Sequence, residues 1–262
     1  MEKNRDKASQ KEVNDITTFI KMSITRAGFS RVIIACSGGV DSTTTLFLAA
    51  RALGTQRVVV LLLPRTNDAL LALDMIGVPQ QHRMHIDIHP AVSALVRLVG
   101  LGVVRKEEER VRLGNIMARV RMTILFDQAK KKQALVMGTE NRSEHLLGYY
   151  TRFGDEASDI EPIRHLFKTK VYKLARYLGV PEPILAKAPT AGLWSGQTDE
   201  GQFGFSYGDA DPILAALYDQ GKTVEEVIAS GFPKDLVDRV KNWVDRYAFK
   251  HQLPYVYSSH NS

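Results

Sequence analysis

The sequence is poor in cysteine and has no long apolar stretch. Cys36 is the single cysteine among 262 residues, so it cannot form an internal disulfide, and we expect a reducing cytoplasmic location. The longest apolar run, 58–63, is far shorter than the roughly 20 residues that span a membrane. The first residues are charged and lead into no signal-peptide core. The sequence therefore predicts a soluble protein with no membrane partner.

Linkers, repeats and biased composition are also missing. No segment rich in proline, glycine or serine interrupts the chain, and its 44% hydrophobic and 24% charged residues are ordinary for a globular protein. We expect one domain over residues 1–262. A net charge of +6 suits anionic ligands but also fits a mildly basic surface. The run 130–132 of three lysines is interpreted as the end of a helix, so no nucleic-acid partner is predicted.

Hydrophobic periodicity predicts strands that alternate with helices. The predicted strands are 32–35, 58–63, 85–88 and 134–137, and the predicted helices are 15–27, 41–53, 69–76, 113–132, 171–178, 224–228 and 236–249. This order predicts an α/β fold: a doubly wound parallel sheet flanked by helices, with a helical C-terminal part. Ligands collect at the carboxyl ends of such strands, here just after Ala35, Leu63 and Met137.

The segment after the first predicted strand has the features of a phosphate-binding loop. It comprises six consecutive residues before a helix: Ser37, Gly38, Gly39, Val40, Asp41 and Ser42. The glycines let backbone N–H groups approach a ligand closely, and the helix start adds free N–H groups and partial positive charge. A turn with ordinary helix capping is the alternative. All six residues together favour a pyrophosphate site.

Two familiar nucleotide-binding patterns do not fit this loop. It lacks the Gly-Lys-Ser/Thr of a Walker A loop and the Gly-x-Gly-x-x-Gly of a dinucleotide fold. An acid beside phosphates suits a bound cation, so Asp41 is a candidate Mg²⁺ ligand. The loop resembles the SGGxDS signature of the ATP pyrophosphatase (PP-loop) superfamily. That resemblance implies an adenine nucleotide alpha hydrolase-like fold and cleavage of ATP between its α and β phosphates.

Three further segments resemble ammonia-dependent NAD synthetases. Residues 138–168 resemble a family stretch that begins Gly-Thr and continues through Gly-Tyr-x-Thr and Phe-Gly-Asp to a lysine. Residues 114–122 resemble a family helix with the pattern GNxxARxRM, and residues 187–200 resemble a lid with KxPTAxLW and QxDE. The ordered matches run from about residue 31 to 211. The resemblance implies ATP-dependent amidation of deamido-NAD by ammonia to give NAD, AMP and pyrophosphate.

The resemblance also implies roles for individual residues. Asp41 and Lys168 would be catalytic, and Asp41 and Glu144 would hold Mg²⁺. The ATP-binding residues would be Ser37, Gly38, Gly39, Val40, Asp41, Ser42, Thr139, Lys168 and Thr190. Those that bind deamido-NAD would be Arg119, Arg152, Asp159 and Lys250. The family binds its dinucleotide across a dimer interface, so a homodimer is expected.

The chain departs from the family pattern at two places. Phe249 stands where the family has a histidine before the lysine that corresponds to Lys250. Leu62 stands where the family often has an ATP-binding arginine, and Arg65 follows instead, so we expect different adenosine contacts. We see no room for a glutamine-hydrolysing domain, so free ammonia is the expected nitrogen source.

Other interpretations remain open from the sequence alone. A tRNA-modifying ATP pyrophosphatase and a non-catalytic adenine-nucleotide sensor are the alternative functions. Cys36 is interpreted as a small apolar residue rather than a nucleophile. The histidines His82, His85 and His89 are interpreted as surface residues rather than metal ligands. Trp194 is compatible with a mobile lid and equally with a surface loop anchored by one aromatic residue.

Overall fold

The computed structural model describes residues 2–63, 66–192, 194, 196–252, 254, 255 and 257, and the side chains of this set from residue 7 onward. The strands are β1 (Arg31–Ala35), β2 (Val58–Leu62), β3 (Arg83–His85) and β4 (Ala134–Val136). The α-helices are α1 (Glu2–Arg26), α2 (Val40–Leu53), α3 (Asn67–Ile76), α4 (His89–Leu98), α5 (Glu107–Lys132), α6 (Arg142–Leu147), α7 (Lys168–Leu178), α8 (Glu182–Leu185), α9 (Asp199–Phe203), α10 (Tyr207–Leu214), α11 (Val224–Ala229) and α12 (Lys234–Tyr247).

The four strands form one parallel sheet in the order β3-β2-β1-β4. Val32 pairs with Val58 on one side of β1 and with Leu135 on the other. An isolated parallel bridge between Met137 and Ile160 extends the β4 edge. Because all strands run the same way, the segments that follow β1 and β4 emerge at one edge of the sheet, where the two predicted ligand-binding segments meet.

Both faces of the sheet are covered, as the nearly continuous apolar strands require. Val32 and Ile34 of β1 point into a core shared with α1, α2, α3 and α7. Ile33, between them, points to the opposite face and packs with residues of α4 and α5. This two-sided arrangement confirms the predicted α/β class with a doubly wound parallel sheet.

A third core lies in the C-terminal helical part. It joins α6 and the start of α7 to the helices α9 to α12, with Phe203, Phe205 and Trp243 in edge-to-face or stacked contact. A short π-helical segment, Ala215–Asp219, follows α10. The predicted helical C-terminal part is thus confirmed, and it packs directly on the helices that follow β4.

The third strand was predicted in the wrong place. The sequence favoured 85–88, whereas β3 is Arg83–His85, because Val60, Leu61 and Leu62 of β2 pair with residues 83, 84 and 85. Ile88 instead precedes α4, a helix that the periodicity did not indicate and that carries Pro90 in its first turn. Helix α5 begins at Glu107, six residues before the periodic segment 113–132, and Glu109 there accepts hydrogen bonds from the backbone N–H groups of residues 105 and 106.

Helix ends agree with the charge patterns. The three lysines 130–132 form the last turn of α5, as predicted.

Among the described residues, no helix is long and apolar enough to cross a membrane.

Candidate active site

The loop between β1 and α2 presents backbone N–H groups at a helix start. Gly39 is the residue that precedes the first turn of α2, and no side chain caps that turn. The Ser37 hydroxyl accepts a hydrogen bond from the Gly39 N–H at 3.2 Å and lies 3.2 Å from the Ser42 hydroxyl. Uncapped N–H groups on a helix of fourteen residues, flanked by hydroxyls, form an arrangement that favours an anion.

The conformation of this loop requires glycine at position 38. Gly38 has φ +85°, and a Cβ there would lie 2.7 Å from Thr66 Oγ1 and 2.8 Å from Ala69 N. Thr66 donates a hydrogen bond to the Ser37 carbonyl at 2.9 Å and accepts one from Ala69 N–H at 3.2 Å. The start of α3 therefore supports the loop from one side and fixes its shape.

Lys168 connects the loop with the segment after β4. Its Nζ donates to Asp41 Oδ2 at 2.6 Å and to Glu144 Oε1 at 2.8 Å. The three side chains come from α2, α6 and α7, and their exposed fractions are 4% for Lys168, 16% for Asp41 and 18% for Glu144. The structure thus brings together the two predicted metal ligands and both predicted catalytic residues.

Burial and charge perturb these groups strongly. Burial would lower the pKa of Lys168, but Asp41, Glu144 and Asp199 outweigh it, so the pKa lies well above its ordinary value. Burial raises the pKa of Glu144, and Lys168 opposes that shift. Burial likewise raises the pKa of Asp199. The site holds more carboxylates than ammonium groups, which favours an additional cation.

A buried acid beneath α7 holds the backbone of Lys168. Ser143 accepts a hydrogen bond from Lys168 N–H at 2.9 Å and donates one to Asp211 Oδ1 at 2.5 Å. Asp211 Oδ2 accepts from Thr169 N–H at 2.9 Å. The Lys168 cation lies at the positive end of the α7 dipole, which is unfavourable. The nearby negative charge of Asp211 offsets this unfavourable interaction, and its hydrogen bonds fix the first turn of the helix. No local pattern in the sequence indicated this role for Asp211.

The segment that resembles a lid is connected to the same site through Asp199. Its carboxylate accepts from Ala191 N–H at 3.0 Å and from the Tyr207 hydroxyl at 3.1 Å. The ring of Tyr207 lies under Lys168, with Nζ 5.2 Å from the ring centroid. Asp199 falls in the QxDE part of the family pattern. The sequence did not indicate a role for it, because its partners lie on other elements.

The four predicted dinucleotide-binding residues all contact backbone groups. Arg119 donates through Nε and Nη2 to the Arg152 carbonyl, each at 3.3 Å, and Arg152 donates to the Gln252 carbonyl at 2.8 Å. Lys250 donates to the carbonyls of Gly148 and Tyr150, both at 2.6 Å. Asp159 accepts from Val136 N–H at 2.8 Å and so also supports the end of β4.

Four further residues were singled out in the sequence. Thr139 is half-buried in the segment between β4 and α6. Thr190 is exposed, and its hydroxyl accepts from Gly192 N–H at 3.0 Å. Arg65 lies outside the described residues, so its expected adenosine contact has no structural account. Trp194 is half-buried, and its immediate neighbours 193 and 195 are also outside that set.

The residues set aside as non-functional are explained by their surroundings. Cys36 is 1% exposed, and burial raises the pKa of its thiol, which fits the apolar interpretation. His85 and His89 are exposed, His82 is half-buried, and the His89 ring pairs with Asp87 at 2.7 Å.

Asp41 and Glu144 are the residues of this site that could hold a metal ion. Both carboxylates contact the Lys168 ammonium, so they lie close to one another and are candidate ligands of one cation. Within the described residues, no group of three or more His, Cys, Asp or Glu side chains could hold a metal ion. Phosphate oxygens and water would have to complete the shell, which is the usual way in which proteins bind Mg²⁺ with ATP.

Comparison with known proteins matches a single family to almost the whole chain. Residues 12–254 match the family model described as NAD synthase. The chain is 39% identical over 254 residues to the NH(3)-dependent NAD(+) synthetase of Fusobacterium nucleatum, covering 94% of this chain and 95% of that protein.

Two solved structures share the fold at comparable coverage. The NMN synthetase of Francisella tularensis has a TM-score of 0.80 and 31% identity, covering 95% of this chain and 98% of that one. The NH3-dependent NAD synthetase of Campylobacter jejuni, in complex with the nitrate ion, has a TM-score of 0.76 and 29% identity, covering 95% and 99%. Together with the phosphate-type loop and the buried Lys168 site, these matches establish that the chain belongs to the NAD synthase family.

Proposed function

We propose that this protein is an ammonia-dependent NAD synthetase. It amidates deamido-NAD with ammonia at the expense of ATP, and it releases NAD, AMP and pyrophosphate. The observation that carries the proposal is the position of Lys168, which contacts Asp41 beside the phosphate-type loop and Glu144 after β4. Family membership supports the reaction class.

The first chemical step makes the carboxylate oxygen a leaving group. The nicotinate carboxylate of deamido-NAD attacks the α-phosphorus of ATP, and pyrophosphate departs. In the proposed arrangement, the N–H groups from Gly39 onward and the hydroxyls of Ser37 and Ser42 hold the departing phosphates. The Lys168 ammonium offsets negative charge that develops as the α–β bond breaks.

The second step exchanges the adenylate for nitrogen. Ammonia attacks the carbonyl carbon of the acyl-adenylate, AMP leaves with one of the original carboxylate oxygens, and a proton passes to solvent. No protein nucleophile is needed, so the enzyme acts by holding reactants in line and by excluding water. In the proposed arrangement, the segment near Ala191, whose backbone N–H donates to Asp199, covers the intermediate.

Magnesium belongs to this proposal as the cation held by Asp41 and Glu144. When bound with ATP, it would neutralise the phosphate oxygens and favour departure of pyrophosphate. Thr139, Thr190 and the backbone of Gly38 and Val40 complete the proposed ATP site. The proposed dinucleotide site comprises Arg119, Arg152, Asp159 and Lys250.

A homodimer is also part of the proposal. Several large apolar side chains on and after α4 are exposed, among them Leu98 at 81% and Val103 at 77%. Val99 and Val111, half or less exposed, continue this apolar character onto the start of α5. The same helix carries Arg119, so pairing of two chains along α4 and α5 would place a dinucleotide site next to the interface.

A coupled assay with omissions tests the function. The protein is incubated with ATP, Mg²⁺, deamido-NAD and ammonium, and NAD and AMP are quantified by chromatography. We expect equal amounts of NAD and AMP, and neither when any one component is omitted. ATP hydrolysis without NAD formation would contradict the proposal.

Nicotinate mononucleotide is a second candidate substrate. The Francisella structure, with the higher TM-score of the two described above, is that of an NMN synthetase. The same assay with nicotinate mononucleotide in place of deamido-NAD distinguishes the two substrates. We expect a higher kcat/KM with deamido-NAD, and the reverse order would assign the chain to mononucleotide amidation.

A further inference from the structure

Asn141 connects the two proposed magnesium ligands through one side chain. It is fully buried, at 0% exposure, and immediately precedes α6. Its Oδ1 accepts a hydrogen bond from Glu144 N–H at 3.0 Å. Its Nδ2 donates to Asp41 Oδ1 at 3.0 Å. The amide therefore contacts the backbone of Glu144 and the carboxylate of Asp41.

The orientation of this amide is determined by its partners. If the oxygen and nitrogen were exchanged, the amide oxygen would face the Asp41 carboxylate and the NH₂ group would face the Glu144 N–H. Both contacts would be repulsive, so only the observed orientation satisfies the two neighbours. Asn141 thus holds Asp41 Oδ1 in a fixed direction.

Asp41 is consequently held at both oxygens. Lys168 donates to Oδ2 and Asn141 donates to Oδ1, which fixes the plane of the carboxylate. The Lys168 stem is a flexible chain of four carbon atoms, so its ammonium is the less rigid of the two partners of Asp41. The Asn141 amide is short and anchored at the helix start by the Glu144 N–H, so it is the more rigid partner of Asp41.

We propose that Asn141 is a positioning residue that aligns Asp41 with Glu144 for the binding of Mg²⁺ together with ATP. This inference depends on the proposed function, since it concerns the same site. Neighbours that orient metal ligands commonly affect metal affinity or activity by about 10- to 100-fold.

Helix capping alone does not account for asparagine at this position. Serine, threonine and aspartate cap helix starts about as well, because capping requires only a side-chain oxygen. Serine and threonine lack a second group that could donate to Asp41 while the first caps Glu144 N–H. Aspartate would place another carboxylate against Asp41. Asparagine supplies the acceptor and the donor in one short side chain.

The test compares variants that keep the cap and lose the donor. Asn141→Ser and Asn141→Thr retain an oxygen for Glu144 N–H but cannot donate the amide hydrogen to Asp41. Thr223→Ala is the matched control, because Thr223 caps α11 in an exposed position and its hydroxyl accepts from Glu226 N–H at 3.2 Å. That control removes a cap without touching either carboxylate.

Calorimetry supplies a readout that does not depend on turnover. The probe is α,β-methylene ATP, in which the bond that the reaction breaks is replaced, titrated once with Mg²⁺ and once with EDTA. In Mg²⁺ we expect the serine and threonine variants to bind about 10- to 100-fold more weakly than the unchanged protein. In EDTA their affinities should remain within about threefold, and Thr223→Ala should behave as the unchanged protein in both buffers.

Two results would overturn the inference. One is a folded Asn141 variant, verified by its thermal midpoint, that keeps the full gain in affinity from Mg²⁺. The other is an equal loss in Mg²⁺ and in EDTA, which would indicate general damage to the ATP site. Neither result concerns NAD formation by the unchanged protein. If the unchanged protein formed no NAD in the complete reaction mixture, that result would count against the proposed function instead.

Discussion

The Nζ of Lys168 lies 2.6 Å from Oδ2 of Asp41, although 127 positions separate the two residues in the chain. The contact joins the start of α7 to the start of α2, two helices that share one core on the same face of the sheet. It places a buried ammonium group next to the phosphate-type loop. The proposed chemistry depends on this pair.

Replacement of Asp41 should stop the reaction without loss of the fold. We expect Asp41→Ala to lower kcat by at least about 100-fold, the usual scale for the removal of one charge-stabilising group. Asp235→Ala, which changes an acid that is 78% exposed, is the control and should retain full activity. Steady-state turnover of purified protein measures both. Unchanged turnover in Asp41→Ala would contradict a role in metal or phosphate binding.

Lys168 should also contribute to stability, because its removal leaves buried carboxylates without their counterion. We expect Lys168→Met to lower the free energy of unfolding by about 3–5 kcal/mol. Glu144→Gln should reduce that cost when the two changes are combined, since one of the uncompensated charges is then absent. Urea denaturation of the two single variants and the double variant measures the coupling. Additive losses would show that Lys168 and Glu144 do not interact.

Glu161 should make stability depend on pH. Burial raises the pKa of its carboxyl from 4.5 to about 8. Between these values the folded protein keeps a proton that the unfolded chain has released, so the free energy of unfolding falls as pH rises. The slope for one such group is at most about 1.4 kcal/mol per pH unit.

Substitution at Glu161 tests this dependence. Glu161→Gln resembles the protonated acid. We therefore expect its free energy of unfolding to change less between about pH 5 and pH 8 than that of the unchanged protein. Glu225→Gln, at an exposed position, is the control and should follow the unchanged protein. An equal slope in Glu161→Gln and in the unchanged protein would show that Glu161 is already ionised in the fold.

The proposed dimer is tested at its most exposed apolar residue. Sedimentation should show a dimer at micromolar concentration, and Leu98→Glu should shift the population towards monomer because it places a charge in an apolar interface. Met22→Glu, at a residue that is 67% exposed on α1, should remain dimeric. A monomer that still binds deamido-NAD would defeat the proposal of a shared site.

The sequence predicted those features that depend on adjacent residues. The phosphate-type loop could be located because an apolar strand, two glycines and a helix start follow one another directly. The buried Cys36 and the lysines at the end of α5 were predicted for the same reason, since strand and helix patterns are local. The expectation of one domain over residues 1–262 stays a prediction.

Relationships between distant residues were not predictable from local patterns. Asn141 could have been identified as a helix cap, but its other partner, Asp41, is 100 positions away. Asp211 contacts Ser143 across 68 positions, and no periodicity indicates a buried acid there. Strand β3 was misplaced because its residues are half-buried or exposed and its position follows from pairing with β2.

The most direct test of the central claim follows oxygen from the substrate into AMP. Deamido-NAD labelled with ¹⁸O in its carboxylate is converted with ATP and ammonium, and the products are analysed by mass spectrometry. Attack on the α-phosphorus predicts one labelled oxygen in the phosphate of AMP for each NAD formed. Label in pyrophosphate or inorganic phosphate, or unlabelled AMP, would contradict activation of the carboxylate by adenylylation.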